Sequence, residues 1–185
     1  SLVLDKNYTT SENFEFIKDN LTLSSSNFLF YENAFSKIKL IHQITSSQKL
    51  PILYFDFDFL FSGFVHSQLL TVPDLSLFNT LESSLNEILP NFLTKISTKS
   101  HLVIVDSLNG LFNTLSNDED SGRVVNSILM LIAQHVKFSN SILIIPALAG
   151  KKKGKWFLSN GRQILENENM KKFFISDRSK INIEK

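Results

Sequence analysis

Cysteine is absent from this 185-residue chain, which excludes disulfides, thiolate catalysis and cysteine-type zinc sites. Glycine is scarce: there are six, and none lies between Ser1 and Phe61. Four histidines are scattered without the spacing of a ligand pair, so no metal site is expected. No apolar run approaches the roughly 18 residues that would cross a bilayer. Signal-peptide patterning, internal repeats and low-complexity tracts are all missing. The expectation is a cytoplasmic protein, or a nuclear one in a eukaryote, with no membrane partner.

What is present is an ordinary globular balance, 43% hydrophobic and 20% charged residues, in a length that suits one domain with a sizeable core. Net charge is only +1, but it is unevenly placed. From Ala149 onward ten Lys/Arg face four Asp/Glu, about +6, whereas the first 148 residues carry about −5. Such asymmetry points to a polyanion or to an oppositely charged partner.

Along the chain, Thr10-Ser11-Glu12 with Phe14 and Ile17 predicts a short capped helix, and Asn27–Tyr31 a strand. Phe35, Ile38, Ile41 and Ile44 recur at helical spacing. Pro51 opens an apolar strand over Ile52–Phe59, in which Asp56 and Asp58 would share a face. Leu77, Leu81, Leu85, Ile88, Leu89, Phe92 and Ile96 trace a long helix that Pro90 interrupts, either as a kink or as two helices end to end. The stretch His101–Leu111 reads as a buried parallel strand, Leu102–Val105, delivering Asp106 to its carboxyl end before a polar turn of Ser107, Asn109 and Gly110. In open α/β sheets that end is where ligands bind. An acidic loop, Ser116–Gly122, precedes a helix with Val124, Val125, Ile128, Leu131, Ile132 and Val136 inward. Ser141–Pro146 is another buried strand, Ala149–Lys155 a basic loop, and Lys172–Ser176 with Lys180–Glu184 a terminal hairpin. Alternating strands and helices imply an α/β fold with a mainly parallel sheet flanked by helices. The divisions are a lead-in over residues 1–26, a core over 27–148, and the basic loop and hairpin over 149–185.

The order of motifs resembles the RecA/RadA superfamily, recombinase paralogues and KaiC-like proteins included. Tyr31-Glu-Asn-Ala-Phe-Ser-Lys37-Ile38, followed by Lys39-Leu40-Ile41-His42-Gln43, stands where that family has its phosphate-binding loop and helix. Tyr54-Phe55-Asp56-Phe57-Asp58 matches the strand that ends in its water-activating acid, and Val103-Ile104-Val105-Asp106-Ser107-Leu108 the strand that ends in its metal-facing aspartate. The resemblance implies a RecA-like P-loop NTPase fold, with Lys37, Asp58 and Asp106 as vestigial nucleotide-site positions. The loop departs from the pattern, because Tyr31 and Ser36 occupy the glycine positions. Phe35 would put a large side chain into the phosphate cradle, and Ile38 replaces the hydroxyl that ligates Mg²⁺.

The expectation is therefore a protein without ATPase activity, catalytic residues, metal or cofactor, and with no retained ATP or Mg²⁺ site. Asp58 and Asp106 are expected at solvated strand ends, Lys37 on a helix surface, and His101 in an exposed loop. The residues expected to work are those of the basic loop. Lys151, Lys152, Lys153 and Lys155, with Arg162, suit phosphate neutralisation, and Trp156 beside Phe157 suits stacking on an unpaired base. The reading is a non-catalytic recombinase paralogue that binds nucleic acid, DNA first and single-stranded DNA in particular, in an accessory role in recombination or repair. Alternatives are a structural subunit of a RecA-like ring or heteromeric complex of the Elongator type, binding RNA or another RecA-like subunit or copies of itself, and a KaiC-like regulatory protein.

Overall fold

The computed structural model describes residues 10–116, 120–152, 155–158, 170–175 and 181–184. In chain order these form α1 (Thr10–Asn20), β1 (Ser25–Tyr31), α2 (Ala34–Ser47), β2 (Ile52–Asp56), α3 (Leu60–His66), β3 (Leu75–Phe78) and α4 (Leu85–Ile96). There follow β4 (Leu102–Asp106), α5 (Leu108–Thr114), α6 (Ser121–Phe138), β5 (Ile142–Lys152), β6 (Lys155–Leu158), β7 (Met170–Ile175) and β8 (Ile181–Glu184). The sheet runs β3-β2-β4-β5-β1-β7-β8, with β6 attached to β5 alone. Pairings from β3 through β7 along this path are parallel, whereas β5–β6 and β7–β8 are antiparallel. This is the α/β architecture with a mostly parallel sheet and a C-terminal hairpin that the sequence implies.

Continuous apolar strands follow from burial on both faces. On one face Phe28, Phe55, Val103 and Ile145 pack under Phe92 of α4, Leu111 of α5 and Ile132 of α6. On the other, Leu29, Ile52, Tyr54 and Ile104 pack under Ile17 of α1, Ile41 of α2 and Phe61 of α3.

Four expectations fail locally, each for a tertiary reason. The second strand stops at Asp56 instead of running to Phe59. The Phe57 N–H turns to the Asp106 carbonyl, and Phe59 takes a left-handed conformation, φ 60°, at the start of α3. Asp56 and Asp58 therefore do not share a strand face. The long helix is also shorter than its apolar pattern. Leu77 belongs to the edge strand β3, Leu81 is exposed, and α4 begins only after Ser84, whose N–H donates to the Glu87 carboxylate at 2.9 Å. Pro90 lies inside that single helix and does not divide it. On α6, Leu131 faces outward at 44% exposure. His101 is buried rather than exposed, its N–H donating to Ser141 Oγ at 3.0 Å. Burial lowers the pKa of its ring, and Nδ1 has no partner among the described residues.

Candidate functional site

The carboxyl ends of β1, β2 and β4 meet at one place, and α2 starts above them. Only Glu32 and Asn33 connect β1 to α2. A phosphate loop of the G-x-x-x-x-G-K type needs a longer, glycine-rich path whose N–H groups turn inward. Here those N–H groups have another acceptor. Asn33 is the N-cap of α2, and its Oδ1 accepts from the Phe35 N–H at 2.8 Å and the Ser36 N–H at 3.3 Å. Asparagine is a favoured N-cap because its short amide reaches these otherwise unpaired donors. Phe35 itself is 72% exposed and stands outside the core. The first N–H groups of α2 are taken by an amide side chain instead.

Lys37 is not a surface lysine. Only 1% of it is exposed, and its Nζ lies 2.7 Å from Asp106 Oδ1 and 3.3 Å from Asp58 Oδ2. The ammonium also stands over the Tyr31 ring, 5.0 Å from its centroid. Asp106 is fully buried, not solvated, and its second oxygen accepts from the Tyr54 hydroxyl at 2.5 Å. Tyr54 is held in turn by stacking on Phe61, with centroids 4.1 Å apart. Asp58 is the more open carboxylate, 26% exposed at its side chain. Asp56 turns away to α3, accepting from the Ser62 N–H at 2.6 Å and the Ser62 hydroxyl at 2.7 Å.

The turn after β4 is a helix start. Ser107, joined to Asp106 by a cis peptide bond, caps α5 by accepting from the Gly110 N–H at 3.2 Å. Asn109 Oδ1 accepts from the Leu148 N–H at 2.7 Å and ties this helix to β5. Gly110 is required here, because a Cβ would stand 2.8 Å from Phe57 Cβ and would collide with Asp58 Oδ1.

Electrostatics follow from burial. Burial pushes the Asp106 carboxyl up to about 6, although Lys37 and the Tyr54 hydroxyl both oppose the shift. For Lys37 burial works downward, but Asp106, with Tyr31 and Asp58, overrides it and holds the ammonium above the ordinary lysine range. Burial raises Tyr54, Tyr31 and Asp56 as well. The Asp106 shift predicts a pH signature. A carboxyl whose native pKa lies above its unfolded value, about 3.9, favours folding most below pH ~4. That contribution is lost as pH rises through about 6. The stability of wild type relative to Asp106→Asn is therefore expected to fall between pH ~4 and ~6. Urea unfolding of both proteins at intervals across that range measures it, and an advantage that grows toward neutrality contradicts it.

The backbone donors are capped, the lysine is held by two carboxylates, and Ile38 is in the core with no hydroxyl to offer. The signal for Asn33 as a cap was in the sequence, an asparagine just before a helical pattern. Nothing local marked Tyr54, Tyr31 or Gly110 as members of the cluster.

The basic segment is a two-stranded ribbon, not the expected loop. β5 continues to Lys152 and pairs with β6, setting Gly150 opposite Phe157, Lys151 opposite Trp156 and Lys152 opposite Lys155. Directly opposed residues share a face, so Gly150, Lys152, Lys155 and Phe157 occupy positions on one face, and Lys151 and Trp156 on the other. Trp156 and Phe157 therefore hold positions on opposite faces. Phe157 is 51% exposed. Lys153 and Arg162 lie outside the described residues, as does the acidic stretch 117–119. No group of His, Cys, Asp or Glu suited to a metal ion occurs among the described residues, and no described helix is long and apolar enough to cross a membrane.

No protein-family model matches this chain, and no curated protein is significantly similar to it in sequence.

Proposed function

We propose that this chain is a non-catalytic, RecA/RadA-like accessory protein of recombination or repair, and that it binds nucleic acid, single-stranded DNA in particular, through the β5–β6 ribbon. The observation that carries the reading is the presence of Lys151, Lys152 and Lys155 together with Trp156 and Phe157 on one short antiparallel ribbon. Lysines on a ribbon track a phosphate backbone, releasing counterions as they bind. Exposed aromatic faces stack on unpaired bases with little regard for sequence. The capped donors of α2 and the buried lysine support the other half of the reading, because to serve a nucleotide Lys37 would have to leave its ion pairs with Asp106 and Asp58.

The test is a salt titration with a labelled oligothymidylate. Exchanging Lys151, Lys152, Lys153 and Lys155 together for alanine is expected to weaken binding by about tenfold or more. The log-affinity against log-salt slope should become shallower, by about 0.7 for each lysine that contacts phosphate. Equal affinity of the two proteins sinks the ribbon as the binding element. Absence of binding by wild type at low salt instead favours the structural-subunit reading, which the division into −5 and +6 segments supports.

A second measurement addresses catalysis. Calorimetric titration with Mg-ATP is expected to show no binding, either to wild type or to a Phe35→Gly, Ile38→Thr variant. Restoring a glycine and a hydroxyl leaves the Asn33 cap and the Lys37 ion pairs in place. Clear binding to wild type would mean that these contacts open readily.

A further inference from the structure

One edge of the sheet is open and takes no part in the reading above. Among the described residues β3 pairs only with β2. The Ile52 N–H donates to the Asp74 carbonyl at 2.9 Å, and in a parallel ladder alternate residues bond to a given neighbour. Residues 76 and 78 therefore turn their main-chain groups toward β2, while those of Leu75 and Leu77 face outward. Natural edges are commonly blunted with lysine, proline or a bulge. β3 reads Leu-Ser-Leu-Phe and carries neither residue.

Beside this edge lies an open groove of about 490 Å³. Leu77, Phe78, Leu81 and Ile88 supply its apolar side chains and Glu82 and Glu87 its carboxylates; His66 lines it too, but no lysine or arginine does. Lys95, close by on α4, stands over the Phe78 ring at 5.2 Å from its centroid. Glu87 uses one carboxylate oxygen on the Ser84 N–H, which leaves the other for a ligand.

We propose that this groove binds an extended segment of a partner protein in which apolar residues alternate with lysine or arginine. The segment adds to β3 as a further strand, so that the outward N–H and C=O groups of Leu75 and Leu77 give affinity and the groove gives specificity. Its apolar side chains cover Leu77 on one face of the sheet, and its cations, on the other face, meet Glu82 and Glu87 on the side of α4. The net charge of about −5 over the first 148 residues adds long-range attraction for a basic chain.

The probe is the acetylated, amidated hexapeptide Val-Lys-Val-Lys-Val-Lys, titrated into the whole ¹⁵N-labelled protein at low salt. Saturable shifts are expected at the Leu75, Leu77 and Asn79 amides, with affinity falling as salt is added. Glu82→Lys, a change at an exposed position, is expected to weaken binding at least tenfold with an unchanged circular dichroism spectrum. A hexapeptide with N-methylated valines is expected not to bind, because it cannot complete the ladder. Equal binding of the glutamate analogue Val-Glu-Val-Glu-Val-Glu overturns the proposal, as does indifference to both Glu82→Lys and N-methylation, or no binding at low salt. Concentration-dependent self-association of wild type that Glu82→Lys abolishes makes a second copy the occupant, and overturns the assignment to a separate partner.

Discussion

Replacing Lys37 by methionine is expected to lower the free energy of unfolding by about 3–5 kcal/mol, the usual cost of removing one partner from a buried ion pair. Methionine keeps most of the apolar stem, so the loss reports on charge rather than on a cavity. Asp106 would be left fully buried with the Tyr54 hydroxyl as its remaining side-chain partner, and Asp58 would lose its contact as well. The pH dependence identifies the cause. Asp106 already carries a raised pKa, and without Lys37 it has more reason to take up a proton. The penalty should therefore shrink as pH falls from 7 toward 5. Combining Lys37→Met with Asp106→Asn should recover part of the loss, because the two residues are coupled. Urea unfolding of the two single variants and the double variant measures all three terms. A penalty below about 1 kcal/mol, the scale of a surface pair, would show that the lysine is not held as described.

The second large effect is expected at Gly110. An alanine Cβ there would approach Phe57 Cβ to 2.8 Å and its carbonyl carbon to 3.0 Å, and would collide with the Asp58 carboxylate. The Phe57 Cβ and carbonyl carbon cannot swing aside, whereas Asp58 Oδ1, a side-chain end, can yield only by rotating. Phe57 is fixed by its N–H to the Asp106 carbonyl and by stacking on Phe55, 4.2 Å between centroids. Overpacking of this kind costs about 1–3 kcal/mol. The damage should also reach the ion pair, since moving Asp58 takes it from Lys37. Thermal unfolding of Gly110→Ala, with Gly122→Ala as a comparison, tests this. Gly122 is helical, with open space around its added Cβ, and its substitution should be neutral or mildly stabilising. Equal behaviour of the two variants would contradict the close approach of α5 to the β2 loop.

Both effects concern a cluster that only partly shows in the chain. Lys37, Asp58 and Asp106 could be singled out from motif order, but their state could not. Read alone, a lysine at a helix start is a surface residue, and an aspartate at a strand end is solvated. Both inferences fail because the two-residue connection from β1 to α2 draws Lys37 down onto β4, where the ion pair is shielded from water. Asp58 was misplaced by extending a period-two pattern beyond the true end of β2. Leu77 and Leu81 were misplaced in the opposite way, by a helical pattern that ran backward through an edge strand. Such errors arise because short apolar runs satisfy either period. The basic segment reads as a loop in sequence because its lysines and glycines lack strand propensity. Pairing with β6 overrides that weak local preference.

The sequence by itself determined the α/β class, the order of the principal strands and helices, and the separation of charge along the chain. These depend on hydrophobic periodicity and composition, which are local. The tertiary structure alone decided that Asn33 caps the first backbone donors of α2 and that Lys37 is buried between Asp106 and Asp58. It also decided that Lys151, Lys152 and Lys155 belong to a paired ribbon, and that among the described residues the β3 edge, beside Glu82 and Glu87, pairs only with β2. Those facts depend on which residues distant in sequence come within 3 or 4 Å of one another, and on how much water is left between them. Neither quantity is carried by any single stretch of the chain.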